Sequence, residues 1–477
     1  MTPCPVSVVA EVPGDDNQAP DRAPGWLTQI SLFSVVAIQG ADMKLLSSSI
    51  KALQQDIGVT LTDIGYMSMA QMIATKATAP LWGILADRGT LSRRTILVGA
   101  CLGQGLVTML LALVSDMLSM VLLRTLNGML LAALRPIANG IIADATMEEK
   151  QGRIFGRVTA AMLLGMLATT VTVVPVATKE VMGFHGWRVA WVVVGLISVL
   201  VAGLVLCCLE EPPCKPAADT LPHGCMAVRE ELKTLWKFFT VPTFCILVVK
   251  GVFETIPYTV FGHFTLFFQL AGIESVKVAV VMSVGLLAAA AGVCLGGLIG
   301  DRLSGRIGPG GRPLTSQLSL AFNIPLVSGM LLGSAPHEGK FWLYLVLIAL
   351  WGLLGHWTNC GTNYPILAQI VPVSSRNRVM AWEAAIEDSI AGAIGPILVA
   401  QLAERAFGYD FGAVKGRRPG MDALSAVALG KALAATICIP MVSAFALTSL
   451  LYWSYPRDIR TSQQRHSNGK EASRAAA

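Results

Sequence analysis

Charge is what this chain has least of. Only 14% of its 477 residues are Asp, Glu, Lys or Arg, against roughly a quarter in an ordinary soluble domain. The deficit runs along the whole sequence, so a water-facing globule is excluded. Cysteine is present ten times but never at metal-ligating spacing. Cys207-Cys208 has neither intervening residues nor partnering His, and most of the others sit in apolar stretches as small hydrophobes. Cys207, Cys208 and Cys214, at a membrane edge, are the candidates for palmitoylation. No Gly-Lys-Thr/Ser nucleotide loop occurs, which leaves ATP-driven pumping without support. No His/Asp/Ser or metal constellation gathers near a membrane surface, so no enzyme, no cofactor, no metal site and no nucleic-acid partner are expected. The first 25 residues, rich in Pro and Asp, lack the charged-then-apolar order of a signal peptide.

What is there is apolar. Hydrophobic residues make up 54% of the chain, and the mean hydropathy is +0.61. A hydrocarbon core of about 30 Å takes about 20 apolar residues per helix. Such stretches fall near 28–52, 62–86, 95–115, 118–143, 155–178, 187–209, 243–270, 277–300, 316–334, 341–368, 379–403 and 425–453. The expected fold class is therefore an all-α integral membrane protein of twelve spans. Its expected parts are a disordered tail at 1–25, a six-helix half at 26–210, a linker at 211–240, a second half at 241–455 and a tail at 456–477. Pro212 and Pro213 end the sixth span, and Met226 to Lys237 reads as a short surface helix. Loops on the linker side hold fifteen Lys and Arg and the opposite loops eight. By the positive-inside rule both termini face the cytoplasm. Which cellular membrane houses the protein is not legible.

The halves repeat a signature. Gly83-Ile84-Leu85-Ala86-Asp87-Arg88 follows the second span and Gly297-Leu298-Ile299-Gly300-Asp301-Arg302 follows the eighth. The same frame at matched positions indicates an internal repeat, common in transporters. Gly83 or Gly297 would let two helices approach closely. The aspartate would accept from the N–H groups at a neighbouring helix start. Arg153-Ile154-Phe155 and Arg378-Val379-Met380 form a second echo.

This pattern resembles the signature loop of the major facilitator superfamily over about residues 26–455. The resemblance implies two six-helix halves with spans 1, 4, 7 and 10 lining a cavity. It implies that Asp87 latches to the start of the eleventh span near Arg153 or Arg157, and Asp301 likewise with Arg378. Arg93-Arg94 stand further from Asp87-Arg88 than in the family pattern. Arg124-Thr125-Leu126-Asn127-Gly128 with Ile141-Ile142-Ala143-Asp144, Gly311-Arg312-Pro313 with Gln317 and Ser319, Trp382-Glu383 to Glu387, Gly395-Pro396, Ala403-Glu404 and Phe407-Gly408-Tyr409 are similar to Spinster-like members from plants, algae and protists. That branch implies a lysolipid or sphingolipid-like substrate, or a small organic solute, moved by alternating access by a monomer.

Ionisable groups inside spans default to function. Asp42 and Arg124 come to one level of the membrane, and the resemblance makes them a pair that substrate or a proton competes for. Lys76, Arg135, Lys250, Glu254, Glu387 and Asp388 form a second, formally neutral set, with Arg135 or Lys250 a candidate for an anionic head group. His356, Asn359, Asn363 and Tyr364 on the tenth span, with Gln39, Asn127 and Asn139, would line a wet cavity. His263 reads as interfacial. The helix-7 aromatics Phe253, Tyr258, Phe261, Phe264, Phe267 and Phe268 suit an apolar tail or lipid. The competing class is a receptor or scaffold of the same fold that moves no solute.

Overall fold

The computed structural model describes residues 25–87, 91–144, 148–210, 236, 238–333, 336–372, 376–409 and 421–475. Inside a bilayer no water is available for orphaned backbone groups, so each span satisfies its own N–H and C=O groups as a helix. The first half holds α1 (Trp26–Asp56), α2 (Leu61–Asp87), α3 (Arg93–Leu111), α4 (Met117–Asp144), α5 (Glu148–Val176) and α6 (Gly186–Cys208). A two-residue hairpin, β1 (Glu180–Val181) with β2 (Phe184–His185), links α5 to α6.

The second half begins with α7 (Pro242–Val260) and α8 (His263–Leu270), one span broken at Phe261-Gly262. There follow α9 (Ser275–Ile307) and α10 (Gly311–Leu332). Then α11 (Phe341–Gly355) and α12 (Tyr364–Ile370) are joined through a π-helical turn at Asn359–Asn363. Last come α13 (Arg376–Gln401) and α14 (Met421–Ala475). Two spans expected as continuous, the seventh and the tenth, are thus interrupted. The last helix runs without a break into the segment expected as a tail.

Ten helical stretches are long and apolar enough to cross a membrane, and one of them, Ser275–Leu332, contains both α9 and α10. The stretch that is not among them is α2, whose apolar run is diluted by Gln71, Thr75, Lys76, Thr78 and Pro80. Counting both gives the expected twelve. The expected helix between Met226 and Lys237 lies outside the described residues.

Helix starts follow ordinary capping. Ser92 accepts from Thr95 N at the head of α3. Asp116 accepts from Ser119 N at 2.8 Å at the head of α4, and the Ser119 hydroxyl together with that N–H holds the Asp116 carboxyl below the usual range.

The same packing scheme occurs twice. Helix α1 lies along α5, α2 along α4 and α3 along α6; α7 lies along α13, α9 along the α11 span and α10 along α14. Six spans separate each pair from its counterpart. The halves meet where α2 packs on α13 and α5 on α9, contacts that the same operation exchanges. Hydrophobic attraction is absent between helices in lipid, so close approach through small residues matters. Gly165 illustrates it, since a Cβ there would overlap the Ala37 carbonyl of α1.

Gly83 and Gly297 do not serve this purpose, contrary to the sequence expectation. A Cβ at either meets no atom within 4 Å. On α9 the close approach is made by Gly296 against Trp357 and Gly300 against Gly361, on the face next to Gly297. The prediction is that Gly165→Leu lowers the thermal midpoint of the purified protein, at a cost of about 1–3 kcal/mol for overpacking. Gly83→Ala and Gly297→Ala should leave the midpoint unchanged in the same assay.

Candidate translocation pathway

A carboxylate in the middle of a hydrocarbon-spanning helix needs donors from its neighbours. Asp42 lies 1% exposed, about 24 Å along α1 at 1.5 Å per residue. Its Oδ1 accepts from Gln104 Nε2 at 3.1 Å, Asn127 Nδ2 at 3.2 Å and Thr108 Oγ1 at 3.3 Å. Its Oδ2 accepts from Gln71 Nε2 at 3.0 Å and lies 3.7 Å from an Arg124 guanidinium nitrogen. Four helices, α1 to α4, therefore converge on one carboxylate. Arg124 also donates to Gln71 Oε1 at 3.3 Å and stacks on Trp191 of α6, 4.7 Å from the ring centre. Its Nε and second terminal nitrogen are buried without a hydrogen-bond partner. Asn127 was named from the sequence; Gln71, Gln104 and Thr108 were not. A neutral polar residue in a span announces itself only when the helix face opposite it is known.

The second half has its own buried pair. Lys250 and Glu254, one turn apart on α7, meet at 2.8 Å with Lys250 fully buried. Asn363 closes the triangle, accepting from Lys250 at 2.8 Å and donating to Glu254 at 3.1 Å. Ser316 of α10 donates to the other Glu254 oxygen at 3.1 Å. Asn359 accepts from Asn363 at 3.1 Å. The Glu387 carboxyl of α13 tucks against Gly251, where any side chain would overlap it.

Arg135 is exposed on α4. Lys76 and Asp388 form an ion pair across the two halves at 2.5 Å.

His356 has Nδ1 3.0 Å from the Gly352 carbonyl and its ring on Tyr258 at 4.9 Å. His263, expected at the interface, is buried, with Nδ1 3.3 Å from the Val260 carbonyl. Phe264, Phe267 and Phe268 are buried core residues packed with Tyr344 and Trp351. They form neither a lipid-facing surface nor a cavity wall.

The signature loops are only partly in view. Arg88 and the side chains of Asp87, Arg153 and Arg378 lie outside the described residues, while Arg157 and Arg302 are exposed. Asp301 meets Arg312 of α10 at 2.6 Å, and Arg312 also donates to the Gly361 carbonyl at 3.2 Å. The acid of the second signature therefore ties α9 to α10 and the tenth span within its own half.

At the end remote from the termini the halves are clamped. Thr60 and Asp63 form a reciprocal cap on α2. Glu404, just past α13, satisfies the remaining first-turn donors. Its Oε1 accepts from Leu61 N at 2.8 Å and Thr62 N at 3.3 Å, and its Oε2 from Thr62 Oγ1 at 2.6 Å. Tyr409 donates to Gln54 Oε1 at 3.0 Å and Lys51 to the Gln269 carbonyl at 3.3 Å. Glu404 and Tyr409 belong to a stretch that carries the Spinster-like resemblance, but their pairing across the halves was not legible, because each partner lies more than 200 residues away.

The Major Facilitator Superfamily pattern matches residues 32–396. The chain belongs to that superfamily. It is 26% identical over 220 residues to a multidrug resistance protein B homolog of Mycobacterium tuberculosis, covering 46% of this chain and 39% of that protein. It is 26% identical over 195 residues to a 4-hydroxybenzoate transporter of Pseudomonas putida, covering 41% and 42%. Each match thus spans less than half of the curated relative. A crystal structure of a bacterial homolog of the human lysosomal transporter Spinster, inward-facing and unoccupied, superposes with a TM-score of 0.75 at 18% identity. That match covers 90% of this chain and 97% of the other. It shows a shared fold with the Spinster-like facilitators.

The Lys250–Glu254 pair yields a double-mutant test. Lys250→Met should destabilise by about 3–5 kcal/mol by stranding a buried carboxylate, read as a fall in thermal midpoint. Adding Glu254→Gln should restore most of the loss.

Proposed function

We propose that this superfamily member is a secondary transporter that moves a small organic solute by alternating access and couples it to protons at Asp42. The observation that carries the reading is the Asp42 site. One buried carboxylate collects four neutral donors and one guanidinium from three neighbouring helices. A structural ion pair needs one good partner; here the arginine stands at 3.7 Å and the neutral amides lie closer. Protonation of Asp42 removes the charge that faces Arg124, and the guanidinium nitrogen held toward it is released to engage other groups. Because α2 joins this cluster through Gln71, the change reaches a helix on which the two halves meet.

Two features support alternating access. The halves close at one end through Glu404, Tyr409 and Lys51. The buried charges, by contrast, are neutralised inside each half, so that the seam can open without stranding them. The relatives named for multidrug resistance and for 4-hydroxybenzoate transport agree with a solute as cargo.

The test is a substrate screen in proteoliposomes with and without an imposed pH gradient. Asp42→Asn should abolish pH-driven uptake, at least about tenfold, while the protein is recovered folded at normal yield. Unchanged pH-driven uptake in that variant overturns the proton role. Absence of any solute movement, with intact binding of a protein partner, would favour the receptor reading.

A further inference from the structure

Residues two apart on a helix point to opposite sides. On α1 this separates Asp42, which faces α2, α3 and α4, from Lys44, which faces the other half. Lys44 Nζ sits over the Phe261 ring, 4.9 Å from its centre. Phe261 stands at the break between α7 and α8. The same face of α1 continues one turn on to Ser47, and Gly262 in the break packs directly on it, since a Cβ there would crowd Ser47. The seventh span is thus pressed against α1 at Lys44 and Ser47, where its turn tightens to i→i+3 bonding with the backbone still helical.

The basic residues near the seam differ in one respect. Arg124 stands beside Asp42, Lys76 beside Asp388 and Lys250 beside Glu254, and Lys51 donates to the Gln269 carbonyl. Lys44 has no carboxylate within ion-pair distance among the described residues, and an aromatic face is its nearest charge-stabilising neighbour. An uncompensated cation inside a membrane is costly and is retained where a ligand or pathway needs it. Lys44 and His356 are half-buried and Tyr258 is 36% exposed, so all three keep surface that a ligand can touch.

The geometry points to Lys44 as the anion anchor of the substrate site. We infer that the site takes a small organic acid with a planar apolar body. The carboxylate would sit on Lys44 and the ring along Phe261, Tyr258 and His356. Tyr258 lies three residues before Phe261, and His356 stacks on it at 4.9 Å. This assignment deepens the transport reading by naming its substrate class, and it replaces Lys250 as the head-group candidate, since Lys250 is already neutralised by Glu254.

The test uses equilibrium binding to the full-length protein in nanodiscs with no pH gradient, so it stands or fails separately from proton-coupled uptake. The probes are benzoate, its neutral amide benzamide, and lysophosphatidate, read by thermal midpoint and by Trp fluorescence, with Trp351 against Phe261. Benzoate should raise the midpoint and benzamide should not. Lys44→Met should weaken benzoate by at least about tenfold, the scale of losing one charge-assisted contact, and Lys44→Arg should keep it within a few-fold. Should Lys44→Met fail to fold, Phe261→Leu supplies the second variant, with weaker benzoate binding expected. Equal responses to benzoate and benzamide, no response to benzoate, or undiminished binding in both Lys44→Met and Phe261→Leu would overturn the assignment. A response confined to lysophosphatidate would overturn the small-acid class.

Discussion

A charge buried in hydrocarbon has to be met by partners that travel with it, and the interior of this protein is arranged around that demand. Asp42 is the most heavily solvated by protein, with donors from α2, α3 and α4 on its two oxygens. Those donors fix the rotations of three helices about the first. Trp191 covers the guanidinium of Arg124 and donates in turn to Ser49 at 3.0 Å, which brings α6 back to α1. Ser198 of α6 binds Gln104 of α3 as well. The polar cluster therefore specifies which helix faces meet, a task that apolar packing in lipid performs poorly because the lipid is as apolar as the side chains.

The second half meets the same demand with different residues. Lys250, Glu254, Asn363 and Ser316 form a closed network across α7, α10 and the π-helical turn. It lies closer to the terminal face than Asp42 does, so the repeat preserves helix pairing and not the position of the charge. The wider turn at Asn359–Asn363 has a local cause. Gly361 packs on α9 and supplies a carbonyl to Arg312, and Asn363 turns inward to Lys250. Accommodating both in one turn calls for the extra residue of a π-helical bulge. Since each half neutralises its own charge, Lys76–Asp388 is left as a side-chain ion pair across the middle of the α2–α13 contact.

Much of this was legible in the sequence, and the reasons for the rest are physical. Apolar periodicity gave the spans, and the duplicated Gly-x-x-x-Asp-Arg frame pointed to the repeat. Asp42, Arg124, Lys250 and Glu254 stood out because a charge in an apolar run is conspicuous. Gln71, Gln104 and Thr108 did not, since neutral polar residues are common in spans and their role depends on which face is turned inward. Lys44 was not named, because what it faces depends on helical geometry that sends it to the side opposite Asp42. Gly83 and Gly297 misled in the other direction. Their spacing from the aspartate suggested close packing, but the register of α9 gives that contact to Gly296 and Gly300.

The α2–α13 pair explains why closure at one end need not resist opening. The helices run antiparallel, so the first turn of α2 lies beside the last turn of α13. There Glu404 accepts from two N–H groups that α2 cannot satisfy itself, at the positive end of the helix dipole. Such a contact is strong while water is excluded. It is also replaceable, because both the carboxylate and the N–H groups are readily hydrated once the end opens. The middle of the pair is different, since Lys76–Asp388 is only partly exposed, at 28% and 38% of the two side chains, and separating it in the membrane costs more than separating the rim. An interface held tightly at its centre and exchangeably at its end is suited to rocking about that centre. The resemblance places Asp87, at the other end of α2, next to the first turn of α13, which would give the same helix pair an acid-to-helix-start contact at each end.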